Sequence, residues 1–173
     1  MKSLLLNGSD WPLEELDNER RAEDVSEALT FGNHKGATSQ PDLLQSLVES
    51  DVHHGYSLPL PLSKVSKIPG LLMAPMNIQK QNTIDETGKI VEKDRLTHDQ
   101  SFRWRAGGSV NDRVDRSALM PCMFGKCLMR LINWAVAARK KYPNLPILAS
   151  NVDYKSAFRR CHLNARTAVQ TCT

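Results

Sequence analysis

The sequence predicts an α+β fold, on three observations. Polar stretches with helix start and stop residues fill the N-terminal third. Two strand-like runs flank a Gly-containing turn near the middle. A long apolar periodicity at three and four residues then precedes a short, nearly all-apolar run. Helices, a hairpin, a long helix and a strand in that order do not give the regular alternation of a parallel α/β sheet. At 173 residues, with 40% hydrophobic and 24% charged content, the chain suits one ordinary domain with a packed core. It carries no internal repeat.

The first helix is expected from Asp10 as cap, with Pro12 in the first turn and Glu14 and Glu15 at the positive end. The acidic run "LEELDNERRAEDVSEAL" continues it to stop signals at Gly32 and Gly36. A second helix is expected over "SQPDLLQSLVES". Ser39 with Asp42 has the form of a capping box, Leu43, Leu44, Leu47 and Val48 form an apolar stripe, and Gly55 ends it. These elements make residues 1–50 a polar helical region, set apart from residues 51–173.

"GYSLPLPLSKVSKIPG" is proline-rich and reads as an extended connector. "MNIQKQNTI" and "KIVEKDRLTH" flank "DETG", where Gly88 supplies a left-handed turn residue, so a hairpin is expected over about 75–99. "DQSFRWRAGGSVND" reads as loop. The long helix is expected from Ser117 to about Tyr142, with Pro121 in its first turns. Met120, Phe124, Leu128, Leu131, Ala135 and Ala138 would form its buried face. Arg139, Lys140 and Lys141 suit its negative end, and Pro143 stops it. "LPILASNV" is a buried strand candidate, "SAFRR" a helical turn and "ARTAVQTCT" a final strand.

Bulk properties exclude several classes. No apolar run is long enough for a membrane span, and "MKSLLLNGSD" is too brief for a secretory signal. An intracellular location, cytoplasm or nucleus, is therefore expected, with the 4 cysteines as thiols. The net charge of +4 hides an asymmetry. Residues 1–88 hold 7 Lys/Arg against 13 Asp/Glu, a net of −6, while residues 89–173 hold 16 against 6, a net of +10. A basic half either marks contact with a polyanion or is a solvated surface.

The decamer "NVDYKSAFRR" carries the sharpest chemical signal. Asp153 ends the apolar run, where a carboxylate either caps the following turn or binds Mg²⁺ through its hard oxygen atoms. The string from Asp153 to Phe158 resembles motif A of reverse transcriptases, in which a strand-ending Asp is followed five residues later by an aromatic residue. The resemblance implies that Asp153 is the catalytic metal ligand and that the Tyr154 carbonyl assists one ion. It also implies that Phe158 lies under the sugar of the incoming dNTP, where a flat ring accepts deoxyribose and collides with a 2′-hydroxyl.

A second stretch, "DRLTHDQSF" followed by "GGSVND", is similar to the fingers strand of the same family, most of all in retroelements that encode a tyrosine recombinase. It implies that Arg95 contacts the triphosphate, since a guanidinium fork matches phosphate oxygens. Lys80 on the facing strand would serve the same phosphates, and Asp99 would help place the template strand or hold the loop. Read without the resemblance, Arg95 and Asp99 are an exposed ion pair on a strand. Together the motifs imply incomplete fingers and palm of a right-hand polymerase over residues 51–173, with an antiparallel palm sheet cut short. The terminal "RTAVQT" resembles the strand that follows motif A.

The family also needs a Gly-containing motif B and a Tyr-x-Asp-Asp hairpin, and this chain has no Asp-Asp pair. One carboxylate does not place the two ions of nucleotidyl transfer. The sequence thus reads as an N-terminal piece of an RNA-directed DNA polymerase, inactive alone. Its expected partners are RNA/DNA template-primer, dNTPs and a missing C-terminal polymerase segment, with Mg²⁺ as cofactor and no membrane.

Other constellations are weaker. Cys122 and Cys127 would lie about 140° apart on a helix, and no pair of cysteines has zinc-knuckle spacing. Trp104 between Arg103 and Arg105 either stacks on an unpaired base or anchors a loop. The competing function is a non-catalytic nucleic-acid-binding module that uses Arg103, Arg105, Arg113, Arg116, Arg159 and Arg160 on phosphates. A remnant without function is the third reading.

Overall fold

The computed structural model describes residues 6–119, 124–148 and 161–173. It is α+β, with a two-stranded antiparallel sheet and several helices. Two compact units are present: Met1–Asp115 with Phe158–Thr173, and Arg116–Ala157. "NVDYKSAFRR", and with it Asp153, Tyr154, Phe158, Arg159 and Arg160, lies outside the described residues.

In the first unit, helix α1 spans Asn18–Phe31. Its cap is Asp17, whose side chain accepts from Arg20 N at 2.9 Å, not Asp10. The earlier start fails because the preceding segment is used in extended pairing: Leu13 bridges Val114, Glu14 N donates to Arg113 O, and Asp115 N donates to Pro12 O. Backbone committed to such partners cannot also form a helical turn. Gly32, at φ +70°, ends α1 and returns its N–H to Ala28 O. Asp24, Val25 and Ala28 form the buried stripe.

A single-turn helix α2, Lys35–Thr38, follows and buries Ala37. Helix α3 spans Pro41–His53 with Pro41 at its first position. The Ser39–Asp42 capping box does not form. Gln40 is the cap residue, and its side chain donates backward to Gly36 O at 3.1 Å. Leu43, Leu44, Leu47 and Val48 are all half-buried, as the stripe predicts. The proline-rich connector contains a 3₁₀ turn, Leu62–Lys67, that buries Val65.

Strands β1 (Met76–Ile84) and β2 (Ile90–His98) form the expected hairpin, with Ile84 opposite Ile90 and Met76 opposite His98. Asp85 Oδ1 accepts from Thr87 N and Lys89 N, and Gly88 takes φ +83°. An aspartate that folds back on its own turn fixes the register. Ile78 is buried on one face, with half-buried Leu96 opposite it.

The expected strand at "ARTAVQTCT" is instead a short helix, α4, over Ala165–Val169. Asn164 caps it by accepting from Thr167 N at 2.8 Å, and a local side-chain cap overrides β-branched propensity here. One parallel bridge, Met73 to Cys172, lies beyond it. The core is built from Val25, Val65 and Leu71, with Ile68, Met73 and Cys172 packed against it.

In the second unit, 3₁₀ turns at Arg116–Ala118 and Phe124–Lys126 precede helix α5, Cys127–Lys141. The helix begins about ten residues later than expected, and none of its residues is buried. Leu128 and Leu131 of the anticipated buried face are 64% and 55% exposed. Met120 and Pro121 lie outside the described residues. Arg139 donates to Pro143 O and Leu145 O at 3.0 and 3.1 Å, which satisfies carbonyls past the helix end. The candidate strand has no strand conformation over its described part, Leu145–Leu148. Among the described residues, no helix is long and apolar enough to cross a membrane.

Candidate nucleic-acid interface

The hairpin and the loop that leaves it hold every described residue assigned to the expected site. Cross-strand partners share a face, and neighbours along a strand do not. Gln79 stands opposite Arg95 and Lys80 opposite Asp94. Lys80 and Arg95 therefore lie on opposite faces of the hairpin, and the register does not let them hold the same phosphates. Lys80 is instead paired to Glu92 at 2.6 Å. That side-chain hydrogen bond raises its pKa. Arg95 is exposed, and its side chain makes no hydrogen bond or ion pair among the described residues. Lys93, opposite Gln81 on the same face, is likewise exposed and without an ion pair among the described residues, so Arg95 is one of two such cations there. The isolated reading had Arg95 paired with Asp99 on the strand, but the aspartate turns elsewhere.

Asp99 holds the loop. Its carboxylate accepts from Ser101 N at 3.1 Å, and His34 Nε2 lies 3.0 Å from the other oxygen. Its own N–H donates to Pro75 O, so both ends of the aspartate are engaged. His34 belongs to a cluster of rings with Phe31, Phe102 and Trp104. Phe102 is 4.6 Å from Trp104 and 4.7 Å from Phe31, centroid to centroid. Tilted and edge contacts at such distances are favourable beyond burial alone.

Trp104 is 6% exposed, and its Nε1–H donates to Met73 O at 2.7 Å. Of the two readings of that residue, the geometry is that of a loop anchor. A ring spent on the core cannot stack on a base. Its flanking cations differ from it. Arg103 is paired with Asp112 at 2.8 Å, whereas the Arg105 side chain is 92% exposed, with Glu27 3.5 Å away. Arg113 is buried and donates to Glu14 O and Gln170 Oε1 at 2.9 and 3.1 Å. It stitches chain segments together and is not open to a phosphate. Burial lowers its pKa, opposed by the carboxylates of Asp24 and Glu14.

"GGSVND" builds the rest of the loop. Asp112 Oδ2 accepts from Ser109 N and Oγ, which with Arg103 holds the Asp112 carboxyl below the usual aspartate range. Gly107 faces the buried Asp24, which accepts from Ala106 N and Gly107 N at 3.1 and 3.2 Å. A Cβ at Gly107 would run into Leu16 and the Asp24 carboxylate, so any larger residue here must displace those side chains. Sequence reading missed Asp24 and His34. Their partners lie 83 and 65 residues away, and the only local signal was the unexplained glycine pair.

Among the described residues, no group of three or more His, Cys, Asp or Glu is placed to hold a metal ion. The described part of the expected site thus reduces to Arg95 and Arg105 as accessible cations around a loop locked by Asp99, Trp104 and Asp112. No family model, no curated protein and no solved structure matches this chain.

Proposed function

We propose that the chain is the fingers region and first palm segment of an RNA-directed DNA polymerase, with Arg95 as its contact to the triphosphate of an incoming dNTP. The observation that carries the reading is Arg95 itself. It sits four residues before the loop-locking Asp99, on an exposed hairpin face, with its guanidinium uncommitted. A phosphate ligand must be uncommitted before its substrate arrives. Asp153, Tyr154 and Phe158 supply the remaining motif by resemblance. Magnesium would need carboxylates beyond Asp153, so no catalytic step is derived for this chain alone.

Two measurements test the reading. The purified chain is expected to give no primer extension on a poly(rA)–oligo(dT) template with Mg²⁺ and dTTP, while the coding sequence after Thr173 is expected to encode a Tyr-x-Asp-Asp. Extension by the isolated chain, or a frame without that motif, overturns it. In a polymerase carrying the whole frame, Arg95→Ala is expected to raise KM for dNTP by about tenfold or more, the worth of one charge-assisted contact. Lys80→Ala, on the other face, is expected to leave KM unchanged.

The second reading is a basic nucleic-acid-binding module, favoured by the exposure of Arg105 and the charge of the C-terminal half. With Arg113 buried and Arg103 paired, few of the described arginines nominated for this role are available, so they alone would give a shallow salt slope of RNA binding. A slope matching all six nominated arginines would show that Arg113 and Arg103 leave their partners.

A further inference from the structure

Away from the hairpin, the first unit contains a cavity of about 520 Å³ between the start of α1, the segment after the 3₁₀ turn, and α4. Its size is within the range of small-molecule sites. Ile68, Leu72 and Val169 give it an apolar wall. Its charged members are Glu15, Arg21 and Arg166. Arg166 Nε is bound to Glu15 at 3.0 Å, so those two charges offset each other. Arg21 is different. Its Nε is buried without a hydrogen-bond partner, and its guanidinium makes no ion pair among the described residues. A buried charged donor left unmatched is a standing free-energy cost. The other two guanidinium nitrogens are not buried and also have no hydrogen-bond or ion-pair partner among the described residues, so an acceptor entering the cavity meets them first.

We propose that this cavity binds a small organic anion, a phosphate monoester or a carboxylate, with its charged end on Arg21 and an apolar body against Ile68, Leu72 and Val169. The net single positive charge selects an anion, and the planar guanidinium suits either headgroup. The apolar wall makes a bare inorganic ion a poor occupant. The site is separate from the proposed dNTP contact at Arg95, and the inference does not depend on that reading.

The test is ¹⁵N NMR on the full chain, following the Arg21 Nε–H resonance during titration with phenyl phosphate, benzoate, inorganic phosphate and benzyl alcohol. A saturable shift is expected with phenyl phosphate or benzoate, and which of the two binds more tightly identifies the headgroup. Inorganic phosphate should bind at least about tenfold more weakly, for want of the apolar contact. Arg21→Met should weaken binding of the preferred anion about tenfold or more, read from the remaining cavity resonances. Ala165→Trp, an exposed cavity-lining position, should block entry without touching Arg21, and it decides the matter if Arg21→Met does not fold. The absence of a saturable Arg21 shift in the millimolar range overturns the proposal. So does benzyl alcohol binding as tightly as the anions, or Ala165→Trp binding unchanged.

Discussion

At the scale of single residues, the most consequential group is Asp24, which is buried while one of its oxygens meets no donor. Burial raises its pKa, and the N–H groups of Gly107 and Ala106 only partly oppose that rise. The folded state therefore binds this proton more readily than the unfolded chain. Its stabilising effect is complete below the ordinary aspartate pKa of about 3.9 and is lost as pH rises through the folded value. Asp24→Asn keeps the acceptor oxygen and removes the titration. The variant is expected to be more stable than the parent at pH 7, with the difference vanishing near pH 3.5. Urea denaturation across that range measures it, and a variant less stable at pH 7 would mean that the Arg113 charge matters more to Asp24 than its desolvation. Asp112 has the opposite sign, since its lowered pKa makes its loop stabilising above the ordinary value and weaker in acid.

At the scale of elements, legibility followed the range of the forces. The hairpin could be read because its turn is closed by residues within five positions, Asp85 to Lys89, and its strands pair with each other. The stop of α1 at Gly32 was legible for the same reason. Its start was not, because Asp10 and Asp17 are equally good caps by type and the choice falls to distant pairing with Val114 and Arg113. Asp17→Ala is therefore expected to cost about 1 kcal/mol, the usual worth of a side-chain cap, whereas Asp10→Ala should leave α1 intact. Chemical denaturation and backbone chemical shifts of residues 18–21 check both. The α4 segment was misread because Thr167, Val169 and Thr171 favour a strand by type, while one Asn164 cap and burial of Thr167 decide for helix. The position of Arg95 on the second strand of the hairpin could be read from sequence. The separation of Lys80 from it depends on pairing register, and the burial of Trp104 and Arg113 depends on segments far along the chain.

At the scale of the molecule, the two units differ in how their apolar residues are used. The first encloses a core of Val25, Val65 and Leu71. The second carries its apolar periodicity on the surface: Leu128, Met129, Leu131, Ile132 and Trp134 of α5 are all exposed. Helical periodicity alone specifies that a face is apolar, and it does not specify what covers it. Exposed apolar side chains in this number on one helix favour self-association and dye binding. The pair Leu131→Gln and Ile132→Gln separates exposure from burial by magnitude. Surface substitutions change stability by about 0.5 kcal/mol or less, while loss of two buried aliphatic side chains costs about 2–5 kcal/mol each. The double variant is expected to keep its far-ultraviolet circular dichroism and its unfolding midpoint, since Gln is a good helix former. It should also bind less anilinonaphthalene sulfonate and sediment with less oligomer than the parent. A drop in stability of several kcal/mol would instead place this face inside the folded chain, and the α5 stripe would then be core, as its spacing first implied.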